Sequence, residues 1–92
     1  MAGINGIEIK QLSENEKKKI GIDSWSIWEK EISEFDWSYS MEERCYILEG
    51  KAVIKTTAGE VEIKKGDFVI FPKGLECTWK ITEPIKKHYN FY

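Results

Sequence analysis

The groups of this sequence that could do chemistry lie in the stretch FDWSYSMEERCYILEG, from Phe35 to Gly50. Glu43 precedes Gly50 by seven positions, a spacing that many metalloenzymes share. At the positions where such a pattern needs histidines, this chain has Trp37 and Tyr39. An indole offers only an N–H donor and a phenol has an ordinary pKa near 10, so neither side chain readily binds a cation. The pattern therefore leaves two alternatives, a metal site or a pocket for another ligand.

The Glu43 carboxylate is the candidate catalytic group. Phe35, Trp37 and Tyr39 alternate with polar residues, and this period of two places the three rings on one face of a strand, which should point inward. A carboxylate among rings is poorly solvated and favours its protonated form unless Arg44, a lysine or a tyrosine hydroxyl compensates. Such a group can act as a general acid or base. The alternative is a structural Glu43 that is hydrogen-bonded to Tyr39 and exposed at the mouth of a barrel.

Two cysteines and one further ring join this candidate site. Cys45 is two residues from Glu43, so both side chains should point to one face, and Cys77 and Trp79 alternate with polar residues in LECTWKI. Two thiols and a carboxylate in one interior could form a redox or nucleophilic site, whereas buried free cysteines usually act as small hydrophobic groups. The rings have core packing as their alternative role. The predicted ligand-binding residues are Trp37, Tyr39, Glu43, Cys45, Cys77 and Trp79.

A short helix is expected near the N-terminus. Ser13 stands three residues before Glu16, the spacing of a capping box in which each side chain binds the other residue's backbone amide. The helix should run from about Glu14 to Lys19 and close near Gly21. It follows an alternating stretch, residues 7–10, that is typical of a half-buried strand.

The remainder of the chain has the pattern of short antiparallel strands. Alternating segments recur at intervals of about ten residues, which indicates a sandwich or a barrel. Glu83-Pro84 is expected to separate the last two strands. Tight turns are expected at Ala58-Gly59, Gly66-Asp67 and Pro72-Lys73-Gly74. Within this all-β class, a jelly-roll barrel of residues 25–92, on which an N-terminal strand and helix, residues 1–24, pack, would protect its edge strands and could hold a ligand.

Composition excludes several classes of protein. The chain has 92 residues, of which 41% are hydrophobic and 33% are charged, as expected for one globular domain. Its net charge of −2 argues against a nucleic-acid partner, which would need clustered basic residues. The sequence has no apolar run that would span a membrane and no signal-peptide pattern at its start, so a cytoplasmic location is expected.

Five positions carry a resemblance to the cupin superfamily. The glutamate and glycine of its first motif correspond to Glu43 and Gly50, and its second motif is met by Gly66, Pro72 and Gly74. The segments CYILEG and GDFVIFPKGLECTW further resemble small single-domain cupins grouped with (S)-ureidoglycine aminohydrolase. The resemblance implies the barrel fold, and it carries much less weight for activity because one fold hosts many functions.

The metal ligands of the resembled family do not carry over. The resemblance places its histidines at Trp37, Tyr39 and Cys77 and retains only the carboxylate, Glu43. This set does not suit Mn, Fe or Ni, and Zn would lack its usual nitrogen and sulfur ligands. No metal and no other cofactor are therefore expected.

The sequence favours a protein that binds a small polar metabolite inside the barrel without a transition metal, and whether it is an enzyme stays open. One alternative is a metal-dependent, aminohydrolase-like enzyme that acts on a ureido compound, and another is a structural or regulatory domain with a filled barrel. A homodimer is expected because pairing would cover the edge strands of a small barrel. Trp25 and Trp28 are expected in a lid or a dimer contact. His88 has no clear direction, and a surface or edge position is favoured over a catalytic one.

Overall fold

Seven β-strands and one α-helix make up the computed structural model, which describes residues 5–92. Residues 1–4 of the expected N-terminal segment lie outside this range. A 3-10 turn, Ile22–Ser24, follows the helix. In chain order the elements are β1 (Glu8–Gln11), α1 (Glu14–Ile20), β2 (Ser26–Lys30), β3 (Ser33–Ser38), β4 (Glu43–Thr56), β5 (Gly59–Lys64), β6 (Asp67–Phe71) and β7 (Glu76–Phe91).

The helix α1 begins and ends as its sequence predicts. The Ser13 hydroxyl accepts a hydrogen bond from the Glu16 amide at 3.2 Å, and the Glu16 carboxylate accepts one from the Ser13 amide at 2.9 Å. Gly21 terminates the helix in the left-handed conformation, with φ of 77°, which glycine adopts without steric cost. The capping box is confirmed, and the helix is one residue longer than predicted because it includes Ile20.

Two long antiparallel strands, β4 and β7, form the centre of the sheet. They pair from Glu43 opposite Phe91 to Lys55 opposite Thr78. On its other edge β4 pairs first with β6 and then with β5, while β7 pairs with β3 along its first part and with β2 along its last part. β1 extends the sheet by pairing with β6. Every strand pairing in this sheet is antiparallel, as expected for an all-β fold.

The long strands change partners next to an irregularity at Gly50 and Pro84. The register of β4 against β7 shifts between Ile47 and Ala52, and Pro84 lies inside β7 at this place. Gly50 has φ of 89°, and the Pro84 backbone lies against its Cα. The expected strand break at Glu83-Pro84 is therefore wrong, because proline, which cannot donate a ladder hydrogen bond, is accommodated where the pairing is irregular.

One face of the central strands forms the core. The alternation in LECTWKI puts Leu75, Cys77, Trp79 and Ile81 on one face of β7 and the residue before it, and all four are buried. They pack with apolar side chains of β4, β5 and β6, including Ile54, Ile63 and Val69. No helix within residues 5–92 is long and apolar enough to cross a membrane.

Candidate binding cavity

A cavity of about 290 Å³ opens on one side of the core. Its wall is aromatic apart from one acid and one base. The nine lining residues come from β2, β3, β4, β7 and the segment after β3: Trp28, Phe35, Trp37, Tyr39, Glu43, Trp79, Lys87, Tyr89 and Phe91. Four of the six predicted ligand-binding residues, Trp37, Tyr39, Glu43 and Trp79, are thus brought together around one space.

The three alternating rings of β3 and the segment that follows it occupy different depths. Phe35 is partly buried and its ring stacks on Trp79 at an interplanar angle of 6°. Tyr39 is buried and stacks on Phe71 with ring centroids 5.0 Å apart. Trp37 lines the same cavity as the other two rings, as the alternation predicts, but its side chain is 48% exposed. Trp37 therefore lies at the mouth and Tyr39 lies deeper.

Glu43 is paired inside the cavity wall. Glu43 is the first residue of β4 and is only 3% exposed. Its carboxylate accepts a hydrogen bond from the Lys87 ammonium, with 2.5 Å between Oε2 and Nζ. The carboxylate is therefore neither the solvent-exposed group nor the acid without a partner that the sequence suggested. A lysine compensates the carboxylate, which is one of the three possibilities that the sequence left open.

Lys87 is the charged residue of the cavity wall that the sequence analysis did not single out. It is 5% exposed, and its Nζ lies 4.6 Å from the ring centroid of Trp79, 4.9 Å from that of Trp28 and 6.0 Å from that of Tyr89. These are cation–π distances. The sequence contained a signal for this position, because Lys87 stands two residues from both Ile85 and Tyr89 and so lies on the same, apolar face of its strand.

Trp28 belongs to the barrel wall and not to a lid. It lies on β2, which pairs with the last part of β7, and its ring packs edge-on against those of Trp79 and Phe35. Trp25 packs instead against the rings of Phe68 and Tyr92, away from the cavity. The expectation of a lid is therefore wrong for Trp28.

The two cysteines do not line the cavity. Cys45 is fully buried, and Cys77 is 7% exposed. Burial raises the pKa of the Cys45 thiol to about 12, and burial, with the Glu43 and Asp36 carboxylates, raises that of Cys77 to about 11. Both thiols stay protonated at neutral pH, so the structure favours their alternative role as small core groups.

His88 is buried in the sheet, and the expectation of a surface or edge position is wrong. It is 8% exposed on β7, between β4 and β2. Its Nδ1 lies 3.1 Å from the carbonyl oxygen of Trp25, where a protonated nitrogen would donate a hydrogen bond. This contact connects β7 to the segment before β2. His88 does not line the cavity.

The donors around Glu43 do not fit a transition metal. Burial, and then the nearby Glu43 carboxylate, raise the pKa of the Tyr39 phenol, which therefore stays neutral. Cys77 keeps its proton, Trp37 has no lone pair to offer, and Glu43 is already bound to a cation, Lys87. Among the described residues, no group of three or more His, Cys, Asp or Glu side chains could hold a metal ion.

Comparison with known proteins gives the family. The EutQ-like cupin domain matches residues 17–89, which is most of the chain. The structure is also similar to a DUF861 family protein (TM1112) from Thermotoga maritima, with 49% sequence identity and a TM-score of 0.91 over 94% of this chain and 99% of the other. No curated protein matches the chain.

More distant structures share the fold. The EutQ protein of Clostridium difficile is 21% identical with a TM-score of 0.68, over 94% of this chain and 67% of the other. A cupin superfamily protein from Desulfitobacterium hafniense is 15% identical with a TM-score of 0.60, over 97% and 79% of the two chains. The similarity to the Thermotoga maritima structure confirms the predicted cupin jelly-roll fold, and the match over residues 17–89 shows that the chain belongs to the EutQ-like cupin domain family.

Proposed function

We propose that this protein binds a small polar metabolite in the aromatic cavity, without a bound transition metal. The observation that carries the proposal is the cavity itself, in which a buried ion pair, Glu43–Lys87, is the polar feature of a wall made of rings. Small-molecule sites are typically apolar concavities with a few converging polar groups. A volume of about 290 Å³ suits a molecule of metabolite size.

Access to the cavity supports this proposal. Trp37 and Phe91 both line the cavity and are 48% and 42% exposed, so the aromatic wall reaches the protein surface. A ligand could enter between these rings and meet Glu43 and Lys87 at depth. Both charged residues are nearly inaccessible from elsewhere, with exposures of 3% and 5%.

Lys87 can take over one role of a metal ion. A cation next to a carboxylate in a cupin barrel would ordinarily polarise the bound molecule, and an ammonium group supplies a positive charge with hydrogen-bond donors. Lys87 would orient a ligand oxygen, while Glu43 would accept a proton or a hydrogen bond. The proposal therefore requires binding, and it leaves general acid or base chemistry at Glu43 as an extension.

The two alternatives from the sequence have less support. A metal-dependent, aminohydrolase-like activity on a ureido compound needs a metal, and the donors around Glu43 do not fit one. Elemental analysis of protein purified without chelator tests this alternative, since stoichiometric Mn, Fe, Ni or Zn would favour it. A filled structural barrel is disfavoured by the cavity beside Glu43.

A thermal-shift screen of small metabolites tests the proposal. We expect at least one to raise the melting temperature of the wild type, and Trp37→Ala to reduce that shift because it removes a ring from the cavity mouth. Met41→Ala is the matched control, because Met41 is similarly exposed at 47% but does not line the cavity. Equal shifts in wild type and Trp37→Ala for every hit would place binding elsewhere and contradict the proposal.

A further inference from the structure

The charge of the cavity wall is balanced. Among its nine lining residues Glu43 carries a negative charge and Lys87 a positive one, and the other seven residues are aromatic. The Tyr39 phenol is kept neutral because burial and Glu43 raise its pKa. A buried ion pair in contact has no net charge left to attract an ion.

A charged ligand would therefore be poorly accommodated. An anion would face Glu43 and a cation would face Lys87, and either would bring a net charge into an aromatic wall that cannot hydrate it. Lys87 already occupies the cation–π positions over Trp28 and Trp79 that would otherwise attract an amine. An uncharged ligand avoids both costs.

The ion pair nevertheless keeps unused hydrogen-bonding capacity. An ammonium group has three N–H donors. Glu43 Oε2 is the hydrogen-bond acceptor of Lys87 Nζ within residues 5–92, and rings flank the same nitrogen. The Tyr39 phenol is also hydrogen-bonded to the Glu43 carboxylate, whose two oxygens have about four acceptor positions, so positions remain for a ligand. The wall thus offers a donor and an acceptor side by side.

A carboxamide has the complementary pair of groups. Its carbonyl oxygen accepts a hydrogen bond and its NH₂ group donates one, both in a single plane and with no net charge. Aromatic walls such as those formed by Trp28, Phe35 and Trp79 favour a flat apolar body next to that plane. We infer that the ligand is an uncharged, planar carboxamide whose amide edge binds the Glu43–Lys87 pair and whose body lies against the rings. This inference rests on the proposed function.

A series of three probes of similar shape tests the inference. Benzamide, benzoate and benzylammonium are titrated into the wild-type protein at pH 7 by calorimetry. We expect benzamide to bind at least about tenfold more tightly than either ion, because each ion adds an uncompensated buried charge. The inference is overturned if either ion binds as tightly as benzamide.

Variants of the ion pair extend the test. Glu43→Gln gives the wall a net positive charge and should move the preference to benzoate, whereas Lys87→Met should move it to benzylammonium. The wild-type series decides the question even if these variants fail to fold. If no probe binds, but a metabolite raises the melting temperature of the wild type more than that of Trp37→Ala, the carboxamide inference fails and the proposed function stands. If no probe and no metabolite binds, both fail.

Discussion

Lys87 Nζ lies 2.5 Å from Glu43 Oε2, although the two residues come from separate strands and both are buried. This contact puts an ammonium group next to the carboxylate inside the barrel. Each charge offsets part of the desolvation cost of the other, and the rings of Trp28 and Trp79 further stabilise the Lys87 ammonium. The pair is thus both a structural contact and the polar centre of the cavity.

The first prediction concerns the free energy of unfolding of ion-pair variants. Glu43→Gln and Lys87→Met should each destabilise the protein by about 3–5 kcal/mol, because each leaves the opposite charge buried without a partner. The double variant should be less destabilised than the sum of the two. Urea denaturation at pH 7 measures all three changes. Single variants within about 0.5 kcal/mol of wild type would show that the pair is solvated in solution.

The second prediction separates the deep tryptophan from the one at the mouth. Trp79 is 2% exposed and contacts Phe35, Phe71 and Trp28, so Trp79→Ala should cost about 3–5 kcal/mol. Trp37→Ala should cost much less, since the side chain is 48% exposed. Thermal or urea unfolding gives both values. A similar decrease in the free energy of unfolding for the two variants would contradict a buried Trp79 and an exposed Trp37.

The third prediction tests the close approach of the long strands at Gly50. Gly50 and Gly74 share a φ of 89°, but a Cβ at Gly50 would collide with the Pro84 carbonyl oxygen and lie 2.8 Å from Ile85 Cα, whereas a Cβ at Gly74 would have open space. Gly74→Ala should cost about 1–2 kcal/mol for the conformation alone. Gly50→Ala should cost clearly more. Equal losses in urea unfolding would mean that the strands separate easily here.

The fourth prediction concerns the pH dependence of stability from Cys45. An unfolded thiol has an ordinary pKa of 9.0, and burial raises that of Cys45 to about 12. Because its pKa is raised, the folded protein keeps the Cys45 proton to higher pH than the unfolded chain does. The contribution of the protonated thiol to the free energy of unfolding is therefore complete below pH 9.0 and is lost as the pH rises towards about 12. The loss is about 1.4 kcal/mol per pH unit for one thiol.

Comparison with Cys45→Ala isolates this effect. Unfolding measured between pH 9 and pH 11 should show a shallower decline for the variant, whatever its stability at neutral pH. Native Cys45 and Cys77 should also resist iodoacetamide at pH 8, and urea should make both reactive. Rapid alkylation of folded protein would show that the thiols are accessible and ionised.

The elements of the fold could be predicted from local sequence because local physics fixes them. The Ser13–Glu16 capping box and Gly21 define the helix through contacts a few residues apart. Alternation in LECTWKI likewise defines a buried face. The break expected at Pro84 failed because the partner strand supplies the irregularity that accommodates proline, and a partner is not a local property.

The candidate site, too, could be predicted only in part from the sequence. The spacing of Glu43, Gly50, Gly66, Pro72 and Gly74 by itself determined the barrel family and pointed to Glu43 as its internal carboxylate. Only the tertiary structure decided what Glu43 contacts, because Lys87 is forty-four positions away and meets it only when β4 and β7 pair. Both cysteines lie in the core that forms around these strands, and the pairing of β2 with β7 places Trp28 in the wall. Local patterns set strand faces, whereas charge pairing and cavity shape depend on which strands become neighbours.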